Sequence, residues 1–186
     1  MSKIIFLNGC GSSGKSSIAK AIQHLSKDNW LTLGVDTLIQ MTPPPSPGRK
    51  PVYFNFVPIT NKHGAAIEVE TFPEGDKLFS MLPNMAKIMA DTGHNLIIDE
   101  VVLKKKCLDE YQDHLKNHQI YFVGVHCKLS VLQEREFLRR DRVIGLANGQ
   151  YDKVHSFFDT YDLEVDTTHT PNFENAKKIL EKVGAA

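Results

Sequence analysis

The chain has 186 residues, 41% of them hydrophobic and 24% charged. That make-up fits one ordinary globular domain and excludes a disordered chain, a collagen and a disulfide-stapled miniprotein. Lys+Arg number 22 and Asp+Glu number 22, so the formal net charge is zero, which argues against whole-chain attraction to nucleic acid or an anionic membrane.

Ile4-Ile5-Phe6-Leu7 predicts a buried strand. This apolar run is too short for a signal peptide, and no run approaches the roughly 20 residues of a membrane span. Cys10, Cys107 and Cys127 are an odd set without CxxC spacing, which points to reduced thiols and a cytoplasmic protein. Gly9 to Gly14 break the strand. Ile18, Ile22 and Leu25 then share one helical face, so the chain opens strand, glycine loop, helix.

Trp30 to Val35 predicts a second strand, ending at Asp36, with a helical turn over Thr37–Met41. Six of the nine prolines fall between Pro43 and Pro58, which disfavours regular structure there. Val52–Val57 and Ala66–Val69 read as short extended pieces or a hairpin. The segment from about 42 to 75 is either a plain surface loop or an insertion covering a substrate. Leu78, Leu82, Met85 and Met89 recur at helical spacing, with Met as core filler. Further strands are expected at Asn95–Ile98, Tyr121–Val125 and Tyr161–Val165. Helices are expected at Leu108–Lys116, Leu129–Arg140 and Phe173–Val183. This alternation predicts an α/β protein of three layers, a parallel sheet covered on both faces, in a single domain.

Gly9-Cys10-Gly11-Ser12-Ser13-Gly14-Lys15-Ser16 matches GxxxxGK[ST] letter for letter, between a strand and a helix as that pattern requires. Such a P-loop turns successive N–H groups inward around a phosphate, and the following helix adds its positive dipole end. Gly9 through Ser17 are therefore candidate nucleotide-binding residues, with Lys15 reaching the β- and γ-phosphates and Ser16 ligating Mg²⁺. Cys10 lies at a helix N-terminus, a place that can lower a thiol pKa; it is incidental to catalysis but open to oxidation.

Asp99 ends an apolar strand, where P-loop proteins place the acid that serves Mg²⁺. Glu100 beside it is either part of the site or a solvated strand-end charge. Asp36 follows another strand end, where α/β sheets bind ligands, and is either a catalytic base for an attacking hydroxyl or an N-cap. Arg135 and Arg139 stand at i, i+4, with Arg140 and Arg142 close behind. They suit the charge of a transferring phosphoryl group and mark an Arg-bearing lid over about 129–150; the alternative is a solvated face paired with Glu134, Glu136 and Asp141.

These blocks, in this order, resemble the chloramphenicol phosphotransferase family, P-loop O-kinases that phosphorylate the 3-hydroxyl of that antibiotic. The resemblance runs through Asn8–Ser16, Leu33-Gly34-Val35-Asp36, Ile97–Val101, Val123–Cys127, Glu134-Arg135-Glu136 with Asp141-Arg142-Val143 and Gly145, and Tyr161–His169. It implies an adenylate-kinase-like fold with a five-stranded parallel sheet, ATP with Mg²⁺, and Asp36 as base. It also implies that the loop Asp166–Thr170, with Thr168, lies against the adenine. Two features depart from the family: Glu100 stands where a second Asp is usual, and the segment Thr42–Pro58 does not match. The reaction therefore carries over, while the small-molecule hydroxyl acceptor, chloramphenicol or another alcohol, does not. A nucleotide-dependent switch with a protein partner and a nucleic-acid-end kinase use the same loop. Asp36 and the Arg cluster argue against the first, and the zero net charge against the second.

Overall fold

The computed structural model describes residues 1–43, 48–139 and 143–185. In chain order the elements are β1 (Lys3–Asn8), α1 (Lys15–Leu25), β2 (Trp30–Gly34), α2 (Val35–Met41), β3 (Phe54–Asn61), β4 (Gly64–Thr71), α3 (Pro73–Phe79), α4 (Met81–Asp91) and β5 (Asn95–Glu100). There follow α5 (Lys105–Leu115), β6 (Gln119–His126), α6 (Leu129–Arg139), α7 (Leu146–Gln150), β7 (Leu163–Asp166) and α8 (Asn172–Val183).

Five strands form a parallel sheet in the order β2-β5-β1-β6-β7. Side chains alternate across a strand, so the continuous run of β1 feeds two cores. Ile5 and Leu7 pack with Ile18 and Ile22 of α1 and Ile179 and Leu180 of α8. Ile4 and Phe6 pack on the other face with Leu82 of α4 and with Leu108, Tyr111 and Leu115 of α5. Helices on both faces give the three layers that the sequence predicts.

The differences lie at boundaries and in the insertion. β2 stops at Gly34 and the helix begins at Val35, so Asp36 sits within the first helical turn instead of capping a turn at Thr37. The helix expected around Leu78–Met89 is two helices broken at Ser80. The insertion is not irregular throughout: Phe54–Asn61 and Gly64–Thr71 form an antiparallel hairpin. Pro58 is tolerated within it because a two-stranded sheet has only edge strands.

The hairpin packs on α7, a short helix within the segment 129–150 that the sequence did not mark out. Ile67 N–H donates to Gly145 O at 2.9 Å, and the Asn148 side chain donates to the carbonyls of His63 and Ala65. A Cβ at Gly149 would stand 2.0 Å from Ile67 O, so only glycine permits this approach. Among the described residues, no helix is long and apolar enough to cross a membrane.

Candidate active site

The strands of a parallel sheet point their carboxyl ends to one edge, and ligands bind beyond it. The P-loop occupies that edge after β1. Asn8, fully buried, fixes its start: its side chain donates to Val154 O at 2.7 Å and to the Tyr161 hydroxyl at 2.8 Å, and accepts from Val102 N–H at 2.9 Å. Gly14 has a φ of 92°, a left-handed conformation that glycine adopts without strain, and it leads directly into α1.

Lys15 is only 5% exposed. Its ammonium donates to the carbonyls of Gly9 and Cys10 at 2.9 Å each and stands 3.6 Å from Asp99 Oδ1. The Ser16 hydroxyl donates to Asp99 Oδ2 at 2.6 Å. Neighbouring hydroxyl and carboxylate oxygens are the donor set of a hard divalent cation, so Ser16 and Asp99 fit Mg²⁺. The buried hydroxyls of Ser12 and Ser13 have no partner among the described residues. Ser17 faces solvent at the rim of the cavity described below.

Cys10 is buried beneath the loop, and burial pushes its thiol up to about 12, against the attraction of Lys15. The helix dipole does not leave it oxidation-prone, because desolvation of the thiolate outweighs it.

A cavity of about 730 Å³ joins this loop to the rest of the site. Gly11, Ser12, Gly14, Lys15, Asp36, Asp99, Glu100 and Arg139 all line it. Gly34 pairs with Asp99 in the β2–β5 register, and Asp36, two residues on, lines the same cavity as Lys15 and Asp99. Glu100 is not the solvated strand-end charge allowed above. It is 4% exposed, accepts from the Tyr111 hydroxyl at 3.2 Å and from Val101 N–H at 3.0 Å, and is pushed up to about 7, chiefly by burial.

The two arginines of α6 separate. Arg139 faces the cavity. Arg135 does not line it; its guanidinium donates to Thr167 O at 2.7 Å, to Thr167 Oγ1 at 3.2 Å and to Cys127 Sγ at 3.5 Å. The Thr167 hydroxyl in turn donates to Ser13 O at 2.7 Å, so Arg135 ties α6 to the loop after β7 and, through it, to the P-loop. Thr168 is held in that loop, its hydroxyl accepting from Lys128 N–H at 2.9 Å. Arg140 and Arg142 lie outside the described residues.

Two site residues escaped the sequence reading. Glu136, 3% exposed, accepts from Gly145 N–H at 2.7 Å and Ala147 N–H at 3.0 Å, and so anchors the start of α7 to α6. Gln150, at the end of α7, accepts from Gly11 N–H at 2.8 Å through its Oε1. Glu136 stood in the Glu134-Arg135-Glu136 block of the family resemblance, which gave it no role, and Gln150 stood in no motif. A Glu directly after Arg135 read as an ion-pair partner, and an isolated Gln carried no signal.

Comparison with known proteins gives a consistent picture. Residues 2–184 match the family described as chloramphenicol phosphotransferase-like protein, and the chain belongs to that family. It is 29% identical over 187 residues to the Mycobacterium tuberculosis (strain H37Rv) protein named "Putative O-phosphotransferase Rv2636", covering 98% of this chain and 83% of that protein. Among solved structures, the Deinococcus radiodurans tunicamycin resistance protein superposes with a TM-score of 0.64 at 18% identity, over 100% of this chain and 98% of that one. The M. tuberculosis APS kinase in complex with AMPPNP and APS superposes with a TM-score of 0.61 at 14% identity, over 98% of each chain. The fold is that of the P-loop kinases, and the family is one of O-phosphotransferases.

Proposed function

We propose that this member of the chloramphenicol phosphotransferase-like family transfers the γ-phosphoryl group of ATP to a hydroxyl of a small molecule, releasing ADP and a proton. The observation that supports this reading most directly is the shared cavity: the P-loop, Asp99, Asp36 and Arg139 line one space. A nucleotide-dependent switch has no need of a carboxylate placed for an acceptor or of a lid.

The backbone amides of residues 9–17 and the Lys15 ammonium hold the phosphates. Ser16 and Asp99 would hold Mg²⁺, which when bound neutralises phosphate charge. Asp36 accepts a hydrogen bond from the acceptor hydroxyl and orients its oxygen in line with the transferring group. The transition state is loose, so the proton passes to Asp36 late. Arg139 meets the charge on the phosphoryl oxygens from the lid side, with Arg142 in the same segment. Closure of that lid excludes water, which would otherwise take the phosphoryl group. Arg135 orders the Thr167–Thr168 loop, the side on which the adenine lies.

The test is a mass-spectrometric acceptor screen. Purified protein, ATP and Mg²⁺ are mixed with chloramphenicol and a panel of alcohols, with Asp36→Asn in parallel. One compound should gain a phosphoryl group, and the variant should lose that product while still binding ATP. Equal product from wild type and Asp36→Asn would remove Asp36 from the mechanism.

A further inference from the structure

Resting on the phosphotransferase reading above, we propose that the acceptor is an aromatic alcohol carrying an anionic group, with the ring held by the hairpin and the anion held by Arg49 and Lys50.

The lining of the 730 Å³ cavity divides by chemistry. One set of lining residues is the P-loop, Asp36, Asp99 and Arg139. The other set comes from the insertion and the start of α5. It forms an aromatic wall: Tyr53, Phe54, Phe56 and Phe79 line the cavity together with Val69. The strand register accounts for this. Phe54 pairs with Thr71 and Phe56 with Val69, so one face of the hairpin turns all four residues to the cavity. The Phe54 ring lies 5.6 Å from Phe56 and 6.2 Å from Phe79, centre to centre, with the former pair edge to face. Each of these rings is only half-buried, so the wall leaves apolar surface toward the cavity. Removing that surface from water favours an apolar, flat occupant. A polyol would want a dense set of hydrogen-bonding side chains instead. Beyond the charged groups, the neutral hydrogen-bonding side chains that the insertion and α3–α4 bring to the lining are Thr42, Tyr53, Asn55, Thr71 and Ser80, set among the rings.

The charge of this second set is unbalanced. Arg49, Lys50, Lys104 and Lys106 line the cavity against Asp76 and Glu110. Lys104 stands 3.4 Å from Asp76 and donates to the Thr71 hydroxyl at 2.9 Å, and Lys106 stands 3.6 Å from Glu110. Both carboxylates are thereby matched to a lysine. Arg49 and Lys50 have no acidic partner among the described residues and supply the excess positive charge. The whole chain is neutral, so this excess is local. Low-dielectric aromatic walls strengthen its field, and a guanidinium grips a carboxylate or phosphate with paired hydrogen bonds.

The experiment uses the full chain with Mg²⁺ and five probes: 3-phenyllactate, uridine 5′-monophosphate, 1-phenyl-1,2-ethanediol, glycerate and glucose. Binding is measured calorimetrically with AMP-PNP present, and transfer by mass spectrometry with ATP. One or both anionic aromatic probes should bind most tightly; preference between them tells a carboxylate from a phosphate. Their affinity should weaken as salt is raised. Arg49→Ala/Lys50→Ala should weaken it by about tenfold, the equivalent of a lost charge-assisted contact. Arg49→Glu/Lys50→Glu should reverse the preference toward the neutral diol. Tight binding that needs Arg49 and Lys50 but gives no phosphorylated product would uphold a site for anionic aromatic ligands and count against the phosphotransferase reading. Stronger binding or turnover of the diol or glucose would overturn the proposal, as would indifference of the anionic probes to the paired alanine change. So would failure of every probe to bind.

Discussion

Replacing Gln150 by Leu removes one hydrogen-bond acceptor and keeps most of the side chain's bulk. Gln150 is 8% exposed, and its Oε1 accepts the Gly11 N–H at 2.8 Å across 139 residues of sequence. Gly11 immediately precedes Ser12, which is held at a φ of 63°, so the bond steadies the loop where its backbone reverses. A fully buried N–H that loses its partner costs about 1–3 kcal/mol. Gly11 is half-buried and borders the cavity, so water can take the place of the amide oxygen, and the lower end, about 1 kcal/mol, applies. The loop must present its amides in one arrangement to bind phosphate. The loss should therefore appear in nucleotide affinity, where about 1 kcal/mol is roughly fivefold in Kd. Calorimetric titration with AMP-PNP and Mg²⁺, beside urea unfolding, reads both quantities. Gln150→Leu should bind AMP-PNP about fivefold more weakly and unfold about 1 kcal/mol more easily. A tighter Kd would refute the reasoning, because it would mean that the Gln150 bond must break before phosphate enters. Unchanged affinity and stability would equally show that the contact steadies nothing.

The two lid arginines should part in kinetics. Arg139→Ala should lower kcat by about 10²–10³-fold, as expected when a donor to transition-state charge is lost, whereas Arg135→Ala should mainly raise the KM for ATP; identical profiles would contradict their separate placements. His155 accepts or donates at Nδ1 to the Tyr161 hydroxyl at 2.8 Å, stacks on His126 and is pushed down to about 4 by burial first and then by His126 and Lys15. Its folded pKa lies below the unfolded value of about 6.5, so the unfolded chain binds the extra proton, and this group's share of stability is present above 6.5 and lost as pH falls toward 4. Urea melts between those limits should show the slope, and His155→Phe should flatten it; an unchanged slope would assign the proton uptake elsewhere. Cys10 should resist iodoacetamide in the native protein and react only on unfolding, since its thiol is buried and pushed up to about 12; fast native labelling located to Cys10 by peptide mapping would contradict that burial.

The P-loop and the carboxylate beside it were legible in the sequence because each is local. The P-loop is eight consecutive residues between a strand and a helix, and Asp99 is the last but one residue of its strand, so a short window holds each signal. The same holds for the sheet, since Ile4 to Leu7 and Asn95 to Ile98 announce strands by their own composition. Family resemblance added Asp36 as base, which spacing alone left level with a cap.

What the tertiary structure decided lies in contacts between distant segments. Arg135 and Arg139 share a helical face by spacing, yet only the position of Thr167 draws one of them away from the cavity. Near a run of prolines the sequence left a hairpin as one of two alternatives, because its strands are defined by pairing with each other and by packing on α7, neither of which a single segment records. Asn8 and Gln150 act through partners 146 and 139 residues away. A sequence determines its local propensities and loop chemistry directly. Which polar side chain completes a loop, and which wall faces a substrate, depends on the packing of separate elements, and that is settled only when the chain has folded.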